Sequence, residues 1–470
     1  MNAEFLARLV QAQTEEEKDW LLAELSLSVL SPERAMALAA AVPHWFDANI
    51  LAALQPDLAQ QAEALYLELQ HLPFVEGFAD RGHNIHERTR KAMLRHLWET
   101  EEEAFKQFSQ RLVDYFGAEN TNRIEQIYHA VMADFEAGSS QFERYIRSLD
   151  HNFRRGEAEA LLAAVQELVE AKRVPESFAA DVVYWFGRIH FRFYEAQEAL
   201  SRYDTALKLY EQVGDNLGKA NTLRAIGDVL QFLDRCEEAL ERYDTALKLY
   251  EQVGANLGKA NTLQAIGDVL QFLKRCEEAL ERYDTALKLY EQVGANLGKA
   301  NTLRAIGDVL QFLKRCEEAL ERYDTALKLY EQVGANLGKA NTLRAIGDVL
   351  QFLDRRDEAL KRYDTALKLY EQVGDNLGKA NTLQAIGDVA LANEQYPKAL
   401  EHYRQALALL EQIHDLYSTA RVWYCIGTAY AKQGDKPQAI SAFTTAASIC
   451  RNIKLEDLAQ FCEGAIEEIE

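Results

Sequence analysis

Phosphate chemistry needs a glycine-rich loop that ends in Lys and a hydroxyl residue, and Gly214-Asp-Asn-Leu-Gly218-Lys219-Ala220 comes nearest to one. It sets three residues rather than four between its glycines and offers Ala220 where Mg²⁺ needs Ser or Thr. Lying between two helical patterns, it reads as a helix stop and restart, and no nucleotide is expected there. His83-x2-His86 with Glu87 would hold a metal only if the three shared a helical turn, and the pattern places them in a hairpin. Cys236, Cys276 and Cys316 recur 40 residues apart, while Cys425, Cys450 and Cys462 are scattered without a Cys-x2-Cys pair. One cysteine per repeat exceeds the ~7 Å Cα reach of a disulfide, so thiols are expected and no metal. His-Glu-x2-His, Gly-x-Ser-x-Gly and Gly-x-Gly-x2-Gly are all absent. The expectation is a protein that is not an enzyme and carries no cofactor.

What recurs instead is a polar stripe. Asn221, Arg224, Asp228 and Gln231 lie three or four residues apart, so they share one helical face, with Phe232 beside them. The stripe returns every 40 residues as Asn261, Gln264, Asp268 and Gln271, then as Asn301, Arg304, Asp308 and Gln311. It continues as Asn341, Arg344, Asp348 and Gln351 and, shortened, as Asn381, Gln384 and Asp388. Asparagines suit the backbone amides of an extended chain, and the aspartates favour a basic or donor-rich ligand. Arg224, Arg304 and Arg344 neutralise part of that ladder and leave the rungs at Gln264 and Gln384 uncompensated. Phe232, Phe272, Phe312 and Phe352 are read first as packing on the neighbouring repeat and second as ligand anchors.

Helical elements must position these residues. Ala-Leu-x-Arg-Tyr-Asp-Thr-Ala-Leu-Lys-Leu-Tyr-Glu-Gln-Val-Gly recurs from Ala199, Ala239, Ala279, Ala319 and Ala359, and such self-similarity signals a solenoid. Recurrent glycines from Gly187 to Gly427 mark seven units with divergent ends. In each unit a helix B, with Ala239, Leu240, Tyr243, Ala246, Leu247, Tyr250 and Val253 on its apolar face, is stopped by Gly254. Helix A follows from an Asx-type start at Asn216 to about Asp234, with Leu223, Ile226, Gly227, Leu230 and Leu233 packed. Between A and B stand Asp234, Lys274, Lys314 and Asp354, with Gly434 only in the last unit, so strained turns are expected.

Leu223, Ile226-Gly227 and Leu230, then Ala239, Tyr243 and Ala246, resemble the signature of the tetratricopeptide repeat (TPR). The 40-residue unit is similar to that of kinesin light chains, Pins-type spindle adaptors and many bacterial regulators. The resemblance implies an all-α fold, a TPR α-solenoid of antiparallel helix pairs over residues 176–452, in which helix A lines a concave groove. It implies a non-catalytic scaffold or adaptor whose groove binds a partner protein or extended peptide along the stripe. Residues 453–470, with Leu455, Leu458, Phe461, Cys462 and Ile466 on one side, read as a C-terminal capping helix.

Five of the 7 prolines, Pro32, Pro43, Pro56, Pro73 and Pro175, precede the array, which marks a boundary near Pro175. Residues 1–32 read as a helical leader, 33–117 as a winged-helix-like domain and 118–175 as a helical connector. Helices are expected over 33–54, 57–72 and 88–99, with Phe74–Phe78 and His83–Glu87 paired as a hairpin through Asp80-Arg-Gly. Glu15 and Glu101 begin acidic runs that read as helix starts. Asn84-Ile-His-Glu-Arg-Thr-Arg with Lys91-Ala-Met-Leu, Tyr115-Phe-Gly and Tyr128-His resembles the winged-helix part of STAND-type signalling ATPases. In that family an apolar-His-acid motif starts the last helix, its histidine reaches a nucleotide phosphate, and TPRs often follow; Ile85, His86 and Glu87 match the motif. The ATPase core is missing, so His86 is read as a surface or hairpin-closing residue. The resemblance implies a second function class, a regulatory or sensor subunit that docks on a separate signalling ATPase.

With 74 acidic against 52 basic residues, the net charge of −22 would repel phosphate backbones and anionic membranes, so neither nucleic acid nor membrane is an expected partner. The acidic start Met1-Asn-Ala-Glu-Phe leads into no signal core, and no 18 apolar residues run together. A soluble, cytoplasmic protein is expected.

Overall fold

The computed structural model describes every residue except 1–2, 28–32, 80, 120–121 and 470. The chain divides into two units, Met1–Val229 and Leu230–Glu470. Pro32 and Asp80, which the sequence reading used, lie outside the described residues.

Unit 1 opens with α1 (Ala3–Gln11), α2 (Glu15–Leu27), α3 (Glu33–Ala40) and α4 (Ala48–Leu54), then a 3₁₀ turn (Pro56–Gln61) and α5 (Ala62–Leu69). The helix expected over 33–54 is therefore two. Pro43 cannot donate to a helical ladder, and the chain turns so that Phe46 N–H reaches His83 O (2.7 Å) and His83 N–H reaches Phe46 O (3.0 Å). Helix α4 restarts on Asp47, whose carboxylate accepts from Ile50 N. The segment read as one helix over 57–72 begins as the 3₁₀ turn, with Pro56 at its start. The hairpin pairs β1 (Val75–Phe78) with β2 (Gly82–Ile85), Val75 opposite Ile85. Five helices follow: α6 (Glu87–Thr100), α7 (Glu102–Glu119), α8 (Arg123–Ala133), α9 (Phe135–His151) and α10 (Arg155–Glu170). Carboxamide or carboxylate caps at Asn122 and Asp134 start α8 and α9.

A buried ionic cluster ties these helices together. The Arg90 guanidinium on α6 donates to Val42 O (3.1 Å), Pro43 O (3.2 Å) and both oxygens of Glu167 on α10 (2.8 and 3.0 Å). His44 lies between two carboxylates, 2.7 Å from Glu125 on α8 and 3.1 Å from Glu167. Tyr128 donates to Glu167 (3.2 Å), and His129 faces Glu125 at 3.4 Å. Burial disfavours each charge, but the partners win: His44 is held above its ordinary pKa, and Glu125 and Glu167 well below theirs. His129, with burial dominant, is lowered.

The repeats form seven successive helix pairs. The first is α11 (Glu176–Arg192) with α12 (Ala196–Val213); α13 (Asn216–Phe232), which crosses the division, precedes α14 (Cys236–Gln252). In unit 2 the pairs are α15 (Asn256–Phe272) with α16 (Cys276–Val293), α17 (Asn296–Phe312) with α18 (Cys316–Val333), and α19 (Asn336–Phe352) with α20 (Arg356–Val373). Then come α21 (Asn376–Ala392) with α22 (Tyr396–Gln412), α23 (Leu416–Gln433) with α24 (Lys436–Asn452), and α25 (Glu456–Glu467). The contact that needs glycine is within a pair: a Cβ at Gly267 would run into the Tyr283 ring, and Gly307 meets Tyr323 in the same way.

Helix A does not start with Asn as a cap. The capping position is the residue before it, Ala255, Ala295 or Ala335 without a side-chain bond, and Asp375 with one to Gly378 N (2.9 Å). Asn256 and its copies are the first helical residues, so their side chains are one place too late to cap. The A–B turns are left-handed at non-glycine residues, with φ of 59° at Lys274, 60° at Lys314 and 60° at Asp354, against 87° at Gly434. Helix α25 buries Ala459 and Cys462 but leaves Leu458 and Phe461 exposed, so its packed side is narrower than the sequence suggested. All six cysteines are free thiols.

Candidate ligand-binding face of the repeats

In unit 2 the polar stripe of helix A is held from beneath by two tyrosines of helix B. Tyr283 and Tyr290 lie seven residues apart, hence on one face of α16, and their buried rings send hydroxyls up to α15. Tyr283 donates to Asp268 (2.7 Å) and Gln271 (3.2 Å); Tyr290 donates to Asn261 (2.7 Å) and Gln264 (3.1 Å). The next two pairs repeat this: Tyr323 reaches Asp308 and Gln311, Tyr330 reaches Asn301, Tyr363 reaches Asp348 and Gln351, and Tyr370 reaches Asn341. Tyr403 does the same for Asp388 (2.6 Å). Asn381 is half-buried on the same face of α21.

The aspartates are therefore not an open acidic ladder. Asp308 and Asp348 each accept from a tyrosine and from the arginine one turn earlier, Arg304 (2.8 Å) and Arg344 (2.9 Å). Each guanidinium offsets its carboxylate, so the net charge of the pair is small; burial raises the pKa of both aspartates. The rung at Gln384 is not uncompensated either: Arg421 donates to Gln384 Oε1 (3.0 Å) and its charge is felt by Asp388. The sequence reading missed this because Arg421 belongs to a divergent repeat.

The phenylalanines are the second correction. Phe272, Phe312 and Phe352 are 64%, 61% and 64% exposed, and Phe232 is exposed too, so they are not filling the neighbouring repeat. Each lies four residues after an Asp rung and eleven after an Asn rung, which puts it on the same helical face. In α15, α17 and α19 that face thus carries an oriented carboxamide, an internally satisfied carboxylate and an exposed aromatic ring. Asn261, Asn301 and Asn341 accept from tyrosine at Oδ1, which fixes the orientation of their carboxamides.

In unit 1, Asn221, Arg224 and Asp228 are half-buried on α13, with Arg224 donating to Asp228 (2.9 Å). Gln231, at the start of unit 2, accepts from Tyr243 (3.2 Å). The glycine-lysine look-alike is a helix stop and restart: Gly214 has φ 73°, Gly218 abuts the Tyr210 ring, and Lys219 pairs with Glu211 (3.5 Å). His86 is exposed at the start of α6, its backbone N–H bonded to Phe74 O (2.7 Å), while Ile85 is buried. His83 turns to the Tyr66 hydroxyl (2.8 Å). Among the described residues, no group of three or more His, Cys, Asp or Glu is placed to hold a metal ion, and no helix is long and apolar enough to cross a membrane.

The chain matches the tetratricopeptide repeat at residues 178–252, 258–332 and 338–412, and a second description of that repeat matches 385–452. No curated protein matches. Its fold is similar to that of a Signal Transduction ATPase with Numerous Domains protein with a tetratricopeptide repeat sensor from Pyrococcus horikoshii. The two are 13% identical, the match covers 97% of this chain and 69% of that one, and the TM-score is 0.59. The apo quorum sensor NprR from B. thuringiensis is 14% identical over 76% of this chain and 96% of its own, with a TM-score of 0.51. Aspartyl phosphate phosphatase F from Bacillus subtilis is 13% identical over 77% and 92%, with a TM-score of 0.50. At these identities the likeness is one of fold. The repeated helix pairs, the glycine-on-tyrosine contacts and the matched residues together make this chain a member of the tetratricopeptide repeat family.

Proposed function

We propose that this protein is a non-catalytic adaptor or sensor that holds an extended segment of a partner protein along the helix-A face of its repeats. The observation that carries the reading is the 40-residue recurrence of an exposed phenylalanine on the same helical face as a tyrosine-oriented asparagine, about three turns along: Phe272 with Asn261, Phe312 with Asn301, Phe352 with Asn341. Amide donors at fixed intervals suit backbone carbonyls, and bare rings suit apolar side chains. Because the aspartates are spent on tyrosine and arginine, net charge matters less to this face than the sequence implied. Panning a random dodecapeptide library on the full chain tests the reading. Selected peptides should bind at micromolar strength and weaken by about tenfold or more when Phe272, Phe312 and Phe352 are all changed to Ser. Changing Glu241 and Glu281, exposed on helix B, to Gln should do nothing. Peptides that ignore the Ser variant but respond to the Gln variant refute the helix-A face as the site.

A second reading concerns residues 33–117 as a winged-helix-like domain that, with the leader 1–32 and the connector 118–175, docks on a separate signalling ATPase. What supports it is the likeness over 97% of the chain to a protein with both an ATPase and a TPR sensor.

A further inference from the structure

The first repeat diverges from those that follow along most of its helix A, and its stripe reads Asp181, Tyr184, Arg188 and Phe191. Asp181 on α11 stands 40 residues before Asn221 and 80 before Asn261, where the next five repeats carry asparagine. Its local geometry is that of the other rungs: the Tyr210 hydroxyl donates to Asp181 Oδ1 at 2.6 Å, as Tyr290 donates to Asn261 at 2.7 Å. A carboxamide oxygen serves that bond in three other repeats, so the fold does not require a charge here. The charge is also costly. Burial, assisted by the nearby carboxylates of Glu143 and Asp215 and opposed by the Tyr210 hydrogen bond, pushes Asp181 up to about 6.

Asp181 faces a cleft of about 430 Å³ bounded by α9, α11, α12 and α13. The cationic side chains around it already have anions: Arg147 pairs with Glu143, Arg188 with Asp150 (2.8 Å) and Arg224 with Asp228 (2.9 Å). Glu143 also accepts from Trp185 Nε1 (2.7 Å). Among the described residues, Asp181 is left with a hydroxyl partner and no cation. Phe142, Phe178 and Tyr184 supply apolar wall on the same cleft.

We propose that Asp181 is the anchor for a primary ammonium group carried on a short apolar stem, with the aromatic wall holding the stem. On the peptide reading of the helix-A face, on which only the source of this group rests, the ammonium is a chain N-terminus or a lysine. A ligand cation supplies the counter-charge that the fold withholds, and the bond is strengthened because the site is partly desolvated.

The test titrates phenethylammonium into the full chain and follows the Trp185 indole N–H resonance. Millimolar binding is expected at about pH 7.5, weakening about tenfold at about pH 5 as Asp181 takes up a proton. Glu143, Arg147, Arg188, Tyr184, Tyr210, Asp215 and Arg224 are the other charged or titratable groups facing the site, and the Asp181→Asn variant separates their contribution. That variant reproduces the other rungs, so it should melt no lower than the parent, yet lose about tenfold in ammonium affinity. Phenethyl alcohol and phenylacetate should leave the resonance in place. An unchanged affinity in Asp181→Asn, an equal response to phenylacetate, or no shift up to about 20 mM overturns the proposal. Free-amine peptides and acetylated lysine peptides then tell the two sources apart. If phenethylammonium binds through Asp181 while no library peptide depends on the Phe rungs, the peptide reading fails and this site stands.

Discussion

In residues 1–229 one set of buried charges meets in a single cluster, Arg90, His44, Glu125 and Glu167 drawn from four separate parts of the chain, whereas in residues 230–470 the pairs α15–α16, α17–α18 and α19–α20 each repeat the same two tyrosine hydroxyl contacts. The first arrangement couples helices far apart in sequence, so loss of one member should be felt by all of them. The second keeps its tyrosine-to-aspartate and tyrosine-to-asparagine bonds inside their own pair, 15 and 29 residues apart, with side-chain bonds such as Arg421 to Gln384 joining adjacent pairs only, so damage reaches mainly the neighbours. How polar groups are satisfied, rather than how many there are, sets the range over which each unit is cooperative.

Glu167→Ala should break that contrast open with the largest effect. It strands Arg90 and removes one of two carboxylates from His44, and loss of one member of a buried ion pair costs about 3–5 kcal/mol. Hydrogen exchange should rise across α3, α6, α8 and α10 together, with α15 to α24 unchanged. The pH profile adds a check. Glu125 and Glu167 are depressed in the fold, so their stabilisation exists above the ordinary carboxylate range and is lost as acid titrates them. His44 is raised, so its stabilisation is complete below its unfolded value and fades as pH climbs through the raised one. Unit 1 should therefore be most stable between those limits, and the variant should lose most of the acid limb. Parallel acid limbs in parent and variant would show that the cluster contributes little.

Gly267→Leu is the matching injury in unit 2. The new side chain must displace the Tyr283 ring, costing about 1–3 kcal/mol, and it disturbs the hydroxyl bonds to Asp268 and Gln271. Exchange should quicken in α15 and α16 and in the pairs beside them, and fade with distance along the array. Uniform loss across unit 2 would remove the distinction between the units.

The repeats were legible because their evidence is local: a 40-residue period, glycine recurring at Gly267 and Gly307, and apolar positions at helical spacing. The stripe was legible as a face, since spacing alone puts Asn261, Gln264 and Asp268 together. What lay underneath was not, because the partners of Asn261 and Asp268 sit on helix B, and only the choice of Tyr over Phe at 283 and 290 hinted at hydroxyls needing acceptors. The exposure of Phe272 was misjudged for a related reason: sequence gives the angle of a residue on its helix but not where the next helix ends. The ionic cluster was invisible, since Glu125 and Glu167 look like any surface glutamates and His44 meets them only through the Pro43 turn. Asp181 could have been found by extending the 40-residue register one unit upstream, where an aspartate replaces the asparagine.

The smallest expected effect sharpens the comparison most. Lys274 and Lys314 adopt φ of 59° and 60°, a conformation that costs a side-chain-bearing residue about 1 kcal/mol and glycine almost nothing. Glycine loses more entropy on folding, by about 0.5–1 kcal/mol, so each Lys→Gly change should gain only a few tenths. Identical surroundings predict equal gains at both sites, additive because the turns belong to different pairs. Unit 1 offers the control in Phe153, whose φ is 56° but whose ring lies 4.1 Å from the Arg192 guanidinium. There Phe153→Gly gives up a cation–π contact worth about 0.5–1 kcal/mol, which cancels the relief. Thermal melts should therefore rise slightly and equally for Lys274→Gly and Lys314→Gly and not rise for Phe153→Gly. Unequal gains at the two lysines would mean that repeats alike in sequence are not alike in energy, and the independence claimed for residues 230–470 would fall with them.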